Sequence, residues 1–489
     1  MQTCQTCRTT GCPLTLSRRS FLASAGAAIA ATEMGLFDFT SSAFGGEARP
    51  AGKPAVNAVF IRPVKAPDVD WPGGNCDIPA QQALFTKTLR SAAEKWGVEL
   101  RVKDQPIATD AETGAYLEQL KKAPPDGLVV VPMSLQSWNP VQQIVQDRGE
   151  IPTIIYSHVT GFTSHLQAGR KTPGVLMAAT QSVEWLDTGV RMLNAISRLK
   201  HARILNTGGG QEAVHELGTT IVPCQVNWQE EIKKAQETDE SRAIAEFYAQ
   251  HAKEIVEPTK PEIFEAAQQY GVLRRLMAAQ DCQGITVQGC LIHKPPCLAV
   301  SKLRDEGIVA TCEGCTHGSL GELVSFLLFD RPTFIQDPSP NTINNTLIGA
   351  HCTSPTKLEG CDQPYRAPYL LRNYHTRDGV SPEVLWPEGK EVTIVQFGWP
   401  KKTLLVGTGR VVSNISQPPT GCCRTSVEIT VDGCPDTRDV KGFHQLFILG
   451  NLERPFRQFS QLAGIEVSSI VAPGSVLPAK QVEPKRKSA

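Results

Sequence analysis

Four side chains in the second half of the chain have the types and settings that chemistry requires. Glu313 stands in Ala310-Thr311-Cys312-Glu313-Gly314, directly after an apolar run that reads as a strand. Asp337 ends a second such run, Phe334-Ile335-Gln336-Asp337-Pro338. His351 lies in Leu347-Ile348-Gly349-Ala350-His351-Cys352, and His444 leads from Gly442-Phe443 into another apolar run. In α/β sheets the carboxyl ends of strands are where ligands bind. Carboxylates together with imidazoles suit Mn2+ or a similar divalent ion. An ion held that way polarises a carbonyl and its neighbouring hydroxyl. One carboxylate could then remove a proton from carbon and the other return it, through an enediol. That chemistry needs carboxylates on opposite sides of the reacting carbons and an ion against the developing oxyanion. Spacing alone leaves a plainer reading open for each residue. A carboxylate after a strand is commonly a helix cap or a surface charge, and a lone histidine is commonly a satisfied hydrogen-bonding group.

The elements that must position these residues alternate strand and helix. Val56–Ile61, Gly127–Val131 and Thr153–Tyr156 read as strands; Gln81–Trp96, Ala111–Lys122, Val141–Arg148 and 182–199 read as helices. Continuous apolar strands between helices predict a parallel sheet covered on both faces. The pattern restarts at Arg203–Leu205, with helices at Ser241–Val256 and Pro261–Leu276 and strands at Gly284–Val287, Val309–Thr311 and Thr333–Ile335. Gly208-Gly209-Gly210 lacks the spaced dinucleotide fingerprint and reads as a loop. After His351, short extended runs between Gly, Pro and Asp predict an antiparallel sheet or small barrel, with Phe456–Ala463 as a closing helix. The expected fold class is α/β: two Rossmann-like α/β domains with parallel sheets, then a mainly antiparallel β domain. The expected boundaries are 1–50 export signal and linker, 51–200, 201–350 with the metal-binding carboxylates, 351–475, and a disordered basic tail at 476–489.

The chain has 49 basic and 49 acidic residues among its 489, so no concentrated excess of Lys and Arg points to a nucleic-acid or anionic-membrane partner. Ser17-Arg18-Arg19-Ser20-Phe21-Leu22 forms a twin-arginine pattern followed by the small, apolar run Ala23 to Thr32. That run falls short of the ~20 residues of a membrane-crossing helix and fits a removable export signal, cleaved near Ala28-Ile29-Ala30. The expected partner is the twin-arginine export machinery, the expected location the periplasm, with no stable membrane insertion. That pathway carries folded proteins, so a metal could be loaded before export. Of the 15 cysteines, Cys4, Cys7 and Cys12 precede the signal, and the scattered remainder forms no compact disulfide framework. Folding in a reducing compartment would leave most as buried thiols.

The stretch from Gly307 to His351 resembles the metal-binding part of the L-fucose/L-arabinose isomerase family, in its strand–Cys-Glu-Gly turn, its strand ending in Asp and its Gly-Ala-His. Gly442-Phe443-His444 is similar to that family's later metal-binding histidine segment. Phe60-Ile61-Arg62-Pro63 resembles its first strand, whose arginine reaches a substrate in a neighbouring subunit. The resemblance spans about 56–470 and matches the order α/β, α/β, β. It implies that Glu313 and Asp337 are metal ligands and the acid/base pair. It implies too that His444 is a ligand, His351 a ligand or its close neighbour, and Arg62 a substrate-binding residue. Cys315 stands where an acidic residue often follows the Glu-Gly, and the second carboxylate is Asp, as in the fucose branch.

The expected activity is therefore interconversion of an aldose and a ketose, on a small-molecule sugar, by a homo-oligomer using Mn2+ or another divalent metal. An exported, non-catalytic sugar-binding protein on the same scaffold is the alternative, and an epimerase or lyase sharing an enediol is a third reading. Trp71, in Trp71-Pro72-Gly73-Gly74, could stack on a sugar ring or belong to a structured surface loop. Arg424, after Cys422-Cys423, could hold a substrate hydroxyl or pair with a carboxylate. His158, His293 and His317 have the same ambiguity.

Overall fold

The structure, a computed structural model, describes residues 52–62, 76–158, 160–167, 169–215, 217–289, 294–374, 378–398, 402–418 and 423–473. All lie in the compact unit Phe44–Ala489. The twin-arginine segment, the linker up to residue 51, the basic tail, Trp71, His293 and Cys422 lie outside the described residues.

The chain is of α/β class. Its first sheet is β1 (Ala55–Ile61), β2 (Glu99–Val102), β3 (Gly127–Pro132), β4 (Thr153–Ser157) and β5 (Val175–Ala179). They pair in the order β2-β1-β3-β4-β5, every pair parallel. β3 and β4 are buried along their whole length, which is why they read as unbroken apolar runs. Local chemistry sets the helix ends. In α1 (Ile78–Trp96), Asp77 accepts the amide of Ala80 at 2.8 Å, Pro79 opens the first turn, and Gly97 terminates it at φ 64°. In α2 (Asp110–Lys122), Thr109 and Glu112 form a reciprocal capping box. The helices α3 (Trp138–Asp147), the short α4 (Thr163–Gln167) and α5 (Trp185–His201) complete the connections.

A second sheet holds β6 (Arg203–Asn206), β7 (Ala213–Val214), β8 (Thr220–Pro223), β10 (Gly284–Thr286) and β11 (Val309–Thr311) in the order β11-β10-β6-β8-β7. Only the β7–β8 pair is antiparallel. Its helices are α6 (Trp228–Lys233), α7 (Asp239–His251), α8 (Lys260–Ala279), α9 (Cys297–Asp305) and α10 (Thr316–Phe329). β9 (Glu254–Ile255) leaves this sheet to pair with β14 (Tyr369–Asn373), which pairs in turn with β15 (Val380–Val384).

The last sheet contains β12 (Phe334–Asn341), β13 (Thr346–His351), β16 (Glu391–Phe397), β17 (Thr403–Asn414), β18 (Thr425–Val431) and β19 (Gln445–Leu449). They follow one another as β16-β19-β12-β13-β18-β17, and β17 pairs back onto β16, so the antiparallel ring closes as a barrel. β20 (Glu466–Ser469), after α11 (Glu453–Leu462), adds to β17 in parallel. The change to antiparallel pairing comes at Phe334, ahead of His351, where the change in sequence texture was read. β12 hides this because Pro338 and Pro340 interrupt a strand pattern. They are tolerated because β19 pairs only with Phe334–Gln336, leaving the rest of that edge without a ladder. One apolar core joins the sheets: Leu193 of α5, Leu323 of α10, Phe397 of β16 and Phe456 of α11 all belong to it. Among the described residues, no helix is long and apolar enough to cross a membrane.

Candidate metal centre

Glu313 reaches the site from the turn between β11 and α10. It has φ 60° and Gly314 φ 63°, two successive left-handed residues that reverse the chain before the helix starts. A left-handed glutamate costs energy and persists only where its surroundings enforce it. Here the amide of Gly314 donates to the carbonyl of Val287 at 3.0 Å, and Gly289 packs so close that a Cβ there would lie 3.2 Å from the Glu313 amide nitrogen. Cys315 caps α10, its Sγ accepting the Gly318 amide at 3.2 Å.

Asp337 and His444 meet through strand register. Gln336 pairs with Gln445 at the end of the β12–β19 ladder, so one antiparallel step further places Asp337 opposite His444. On the other side Asp337 pairs with Ala350, and His351 is the next residue of β13. His444 also has positive φ, 54°, and follows Gly442 at φ 95°. A Cβ at Gly442 would sit 1.8 Å from Gln396 Oε1, and Gln396 Nε2 donates to the Phe443 carbonyl at 2.7 Å. This turn is held from the barrel wall.

The four residues converge: one ligand atom from each of Glu313, Asp337, His351 and His444 lies within 4.8 Å of the others. His444 Nε2 donates to Glu313 Oε2 at 3.0 Å and stands 3.3 Å from Asp337 Oδ1. That Asp337 oxygen is out of solvent and makes no geometric hydrogen bond among the described residues. With one imidazole N–H between them, the two carboxylates keep acceptor capacity that a cation would fill. Two carboxylates and an imidazole this close also fit the donor preferences of a divalent ion.

The two histidines differ. Burial would push the His444 imidazole down, but Asp337, Cys315 and Glu313 around it outweigh burial and raise it to about 11. Burial dominates at His351, holding it near 4 against the pull of Glu313 and Asp337. His351 Nδ1 accepts the Cys352 amide at 3.0 Å, so in the neutral ring Nε2 carries the proton, facing Glu313 Oε1 at 3.8 Å. A ligating histidine ordinarily donates from its other nitrogen. His351 therefore fits the role of a carboxylate neighbour better than that of a ligand, and Cys312 Sγ packs 3.5 Å from both its ring nitrogens. Residues able to hold an ion are Glu313, Asp337 and His444.

The carboxylates face outward, with side chains 29% and 37% exposed against 2% for His351, so a ligand approaches over Glu313 and Asp337. Behind His351 lies a void of about 10 Å³ beside Cys297, Cys312 and Cys352, too small for a substrate.

Arg424 and Arg62 lie outside this chain's four-residue cluster, which for Arg62 is the place expected of an arginine that would serve a neighbouring subunit. Arg424 is fully buried, and its guanidinium donates to the carbonyls of Asn373 and Pro418, both at 2.7 Å. With no surface to offer a sugar, it is a structural residue, a correction to the reading of it as substrate-binding. Arg62 lines a cleft with Lys87 and Arg90, none of them in the four-residue cluster. His158 lies by Tyr156 in the first sheet, and His317 makes an edge-on ring contact with His215. The sequence reading missed Phe443. Its ring is 59% exposed and stacks on His444 at 4.4 Å. Its position between Gly442 and His444 was the available signal. All ten cysteines among the described residues are free thiols, six of them buried.

Neither a protein-family model nor a curated protein sequence matches the chain. Among solved structures it is similar to GanP, a glucose-galactose binding protein from Geobacillus stearothermophilus, at 12% identity over 56% of this chain and 92% of that one, TM-score 0.17. It is similar also to AraP, an arabinose binding protein from Geobacillus stearothermophilus, at 11% identity over 57% and 86%, TM-score 0.17. At such scores neither likeness bears on fold or function here.

Proposed function

We propose that the chain is a metal-dependent isomerase that interconverts an aldose and a ketose, acting on a free pentose or deoxyhexose. The observation that supports this reading is the convergence of Glu313, Asp337 and His444, residues from two sheets, around one point open to solvent on its carboxylate side. Glu313, Asp337 and His444 would hold the ion, with Mn2+ the first candidate. When bound, a divalent ion polarises the carbonyl and hydroxyl of the sugar and stabilises the developing negative charge. The protein's own work is proton transfer. One carboxylate takes the proton from the carbon beside the carbonyl and the other returns one to the neighbouring carbon, so the substrate passes through an enediol. His351, buried and neutral, keeps the Glu313 side of the site in place. The wider reading includes the L-fucose/L-arabinose isomerase scaffold with its Rossmann-like domains, a homo-oligomer, and export to the periplasm by the twin-arginine machinery.

The test is to incubate purified protein, loaded with Mn2+, with L-fucose or L-arabinose in D2O. Ketose formation with deuterium entering at C1 of the ketose, abolished by Glu313→Gln and by Asp337→Asn, is the expected result. Metal and sugar binding without interconversion would replace this reading by that of a non-catalytic sugar-binding protein. Failure to take up any divalent metal would end both the ligand assignment and the isomerase reading.

A further inference from the structure

A cleft of about 580 Å³ opens at the carboxyl ends of β1 and β2, apart from the metal centre. It is lined by Arg62, directly after β1, and by Asp104-Gln105, in the segment that follows β2. One wall is a single face of α1, where Gln82, Thr86, Lys87 and Arg90 recur at helical spacing. The adjacent stripe of α1 buries Phe85, Leu89 and Ala93, which fixes the rotation of the helix and so the direction of the cations. Arg62 is anchored as well: its amide donates to the Ile107 carbonyl at 3.0 Å.

Three cationic side chains and one carboxylate, Asp104, leave the lining with two positive charges. A phosphate monoester carries close to two negative charges at neutral pH and offers three acceptor oxygens. Two guanidiniums supply forked donors for it and Lys87 a point charge. The volume falls within the range of small-molecule sites and exceeds what a lone phosphate fills. Gln82, Thr86 and Gln105 supply the neutral donors and acceptors that hydroxyl groups require. We propose that this cleft binds a small phosphorylated polyol through Arg62, Lys87 and Arg90. The proposal is independent of the chemistry at Glu313 and Asp337.

The test is titration calorimetry of the full chain at low salt, since exposed charges are screened, with a hexose 6-phosphate, inorganic phosphate and the free hexose as separate arms. The expected order is hexose phosphate tightest, inorganic phosphate weaker, free hexose without measurable uptake at the same concentrations. Lys87→Glu/Arg90→Glu, two exposed changes on α1, should weaken hexose phosphate binding at least about tenfold, the scale of one lost charge-assisted hydrogen bond. Metal content and melting temperature should stay unchanged in that variant. Hexose phosphate binding that survives charge reversal, no binding, or inorganic phosphate binding as tightly as the hexose phosphate would each overturn the proposal.

Discussion

Arg304 and Glu322 face each other with no solvent access on either side, Nε to Oε1 at 3.0 Å, and burial raises the Glu322 carboxyl to about 8 against the pull of Arg304. The same guanidinium donates to the Ala310 carbonyl at 2.7 Å and to Thr353 Oγ1 at 3.1 Å. Ala310 is in β11, three residues before Glu313, and Thr353 follows His351 by two. One buried arginine thus ties together the chain segments that carry two members of the cluster. Removing one partner of a buried pair leaves an uncompensated charge and costs about 3–5 kcal/mol, whereas replacing both by apolar groups is often neutral. Arg304→Met should therefore lose roughly that much stability in urea unfolding, and Arg304→Met/Glu322→Met should recover most of it. A double variant as unstable as the single one would show that the hydrogen bonds to Ala310 and Thr353, rather than the charges, dominate.

The members of the cluster should contribute unequally to metal binding. Glu313→Gln, Asp337→Asn and His444→Ala each remove an atom offered to the ion and should abolish stoichiometric metal by elemental analysis. His351→Ala removes a neighbour of Glu313, and outer groups of that kind typically change affinity about 10–100-fold. Metal lost as completely in His351→Ala as in His444→Ala would make His351 a ligand after all.

Metal uptake should release close to one proton near neutral pH. The metal-free site holds His444 protonated up to about 11, whereas His351, near 4, is already neutral. Only His444 must then lose a proton, so apparent metal affinity should rise with pH from the ordinary histidine range toward 11. The sign for the metal-free protein is opposite. A raised histidine adds stability that is fully present below its unfolded value of ~6.5 and is lost as pH rises through about 11. Calorimetry in two buffers of different ionisation enthalpy counts the protons. A count near zero, or one unchanged by His444→Ala, contradicts the assignment.

Phe443 should act on the sugar and not on the metal. An exposed ring stacked on His444, which itself contacts both carboxylates, leaves an apolar face to solvent. An aromatic contact of this kind contributes about 0.5–1.5 kcal/mol, so Phe443→Ala should raise KM roughly two- to tenfold with kcat and metal content kept. Phe443→Trp should restore KM. Loss of metal in Phe443→Ala would mean that the ring serves only to hold His444.

Gly442 should not tolerate a side chain. It combines φ 95° with a Cβ position 1.8 Å from Gln396 Oε1. Gly442→Ala should cost about 1–3 kcal/mol through backbone strain alone, read in urea unfolding. It should also lower metal affinity, because His444 moves with the turn. Unchanged stability would show that the 442–444 turn is free to adjust.

The alternation of apolar runs and amphipathic helices determined the α/β class, because burial on both sheet faces demands unbroken apolar strands. The same runs put Glu313 just past a strand and His351 at the end of one, as residues of the right type, whereas Asp337, read as a strand's end, lies inside β12. Tertiary structure decided the rest. Nothing local specifies that Gln336 pairs with Gln445, yet that register brings Asp337 and His444, 107 positions apart, to 3.3 Å. Prolines 338 and 340 concealed the barrel strand that carries Asp337, since their tolerance depends on which edge lacks a neighbour. Arg424 looked like a substrate contact because an arginine's type does not reveal its burial, which its surroundings set. The tautomer of His351 and the raised affinity of His444 for protons were likewise illegible. Both arise from groups that only the folded chain places beside the rings, because charge and hydrogen bonding act over a few ångströms of space and not along the sequence.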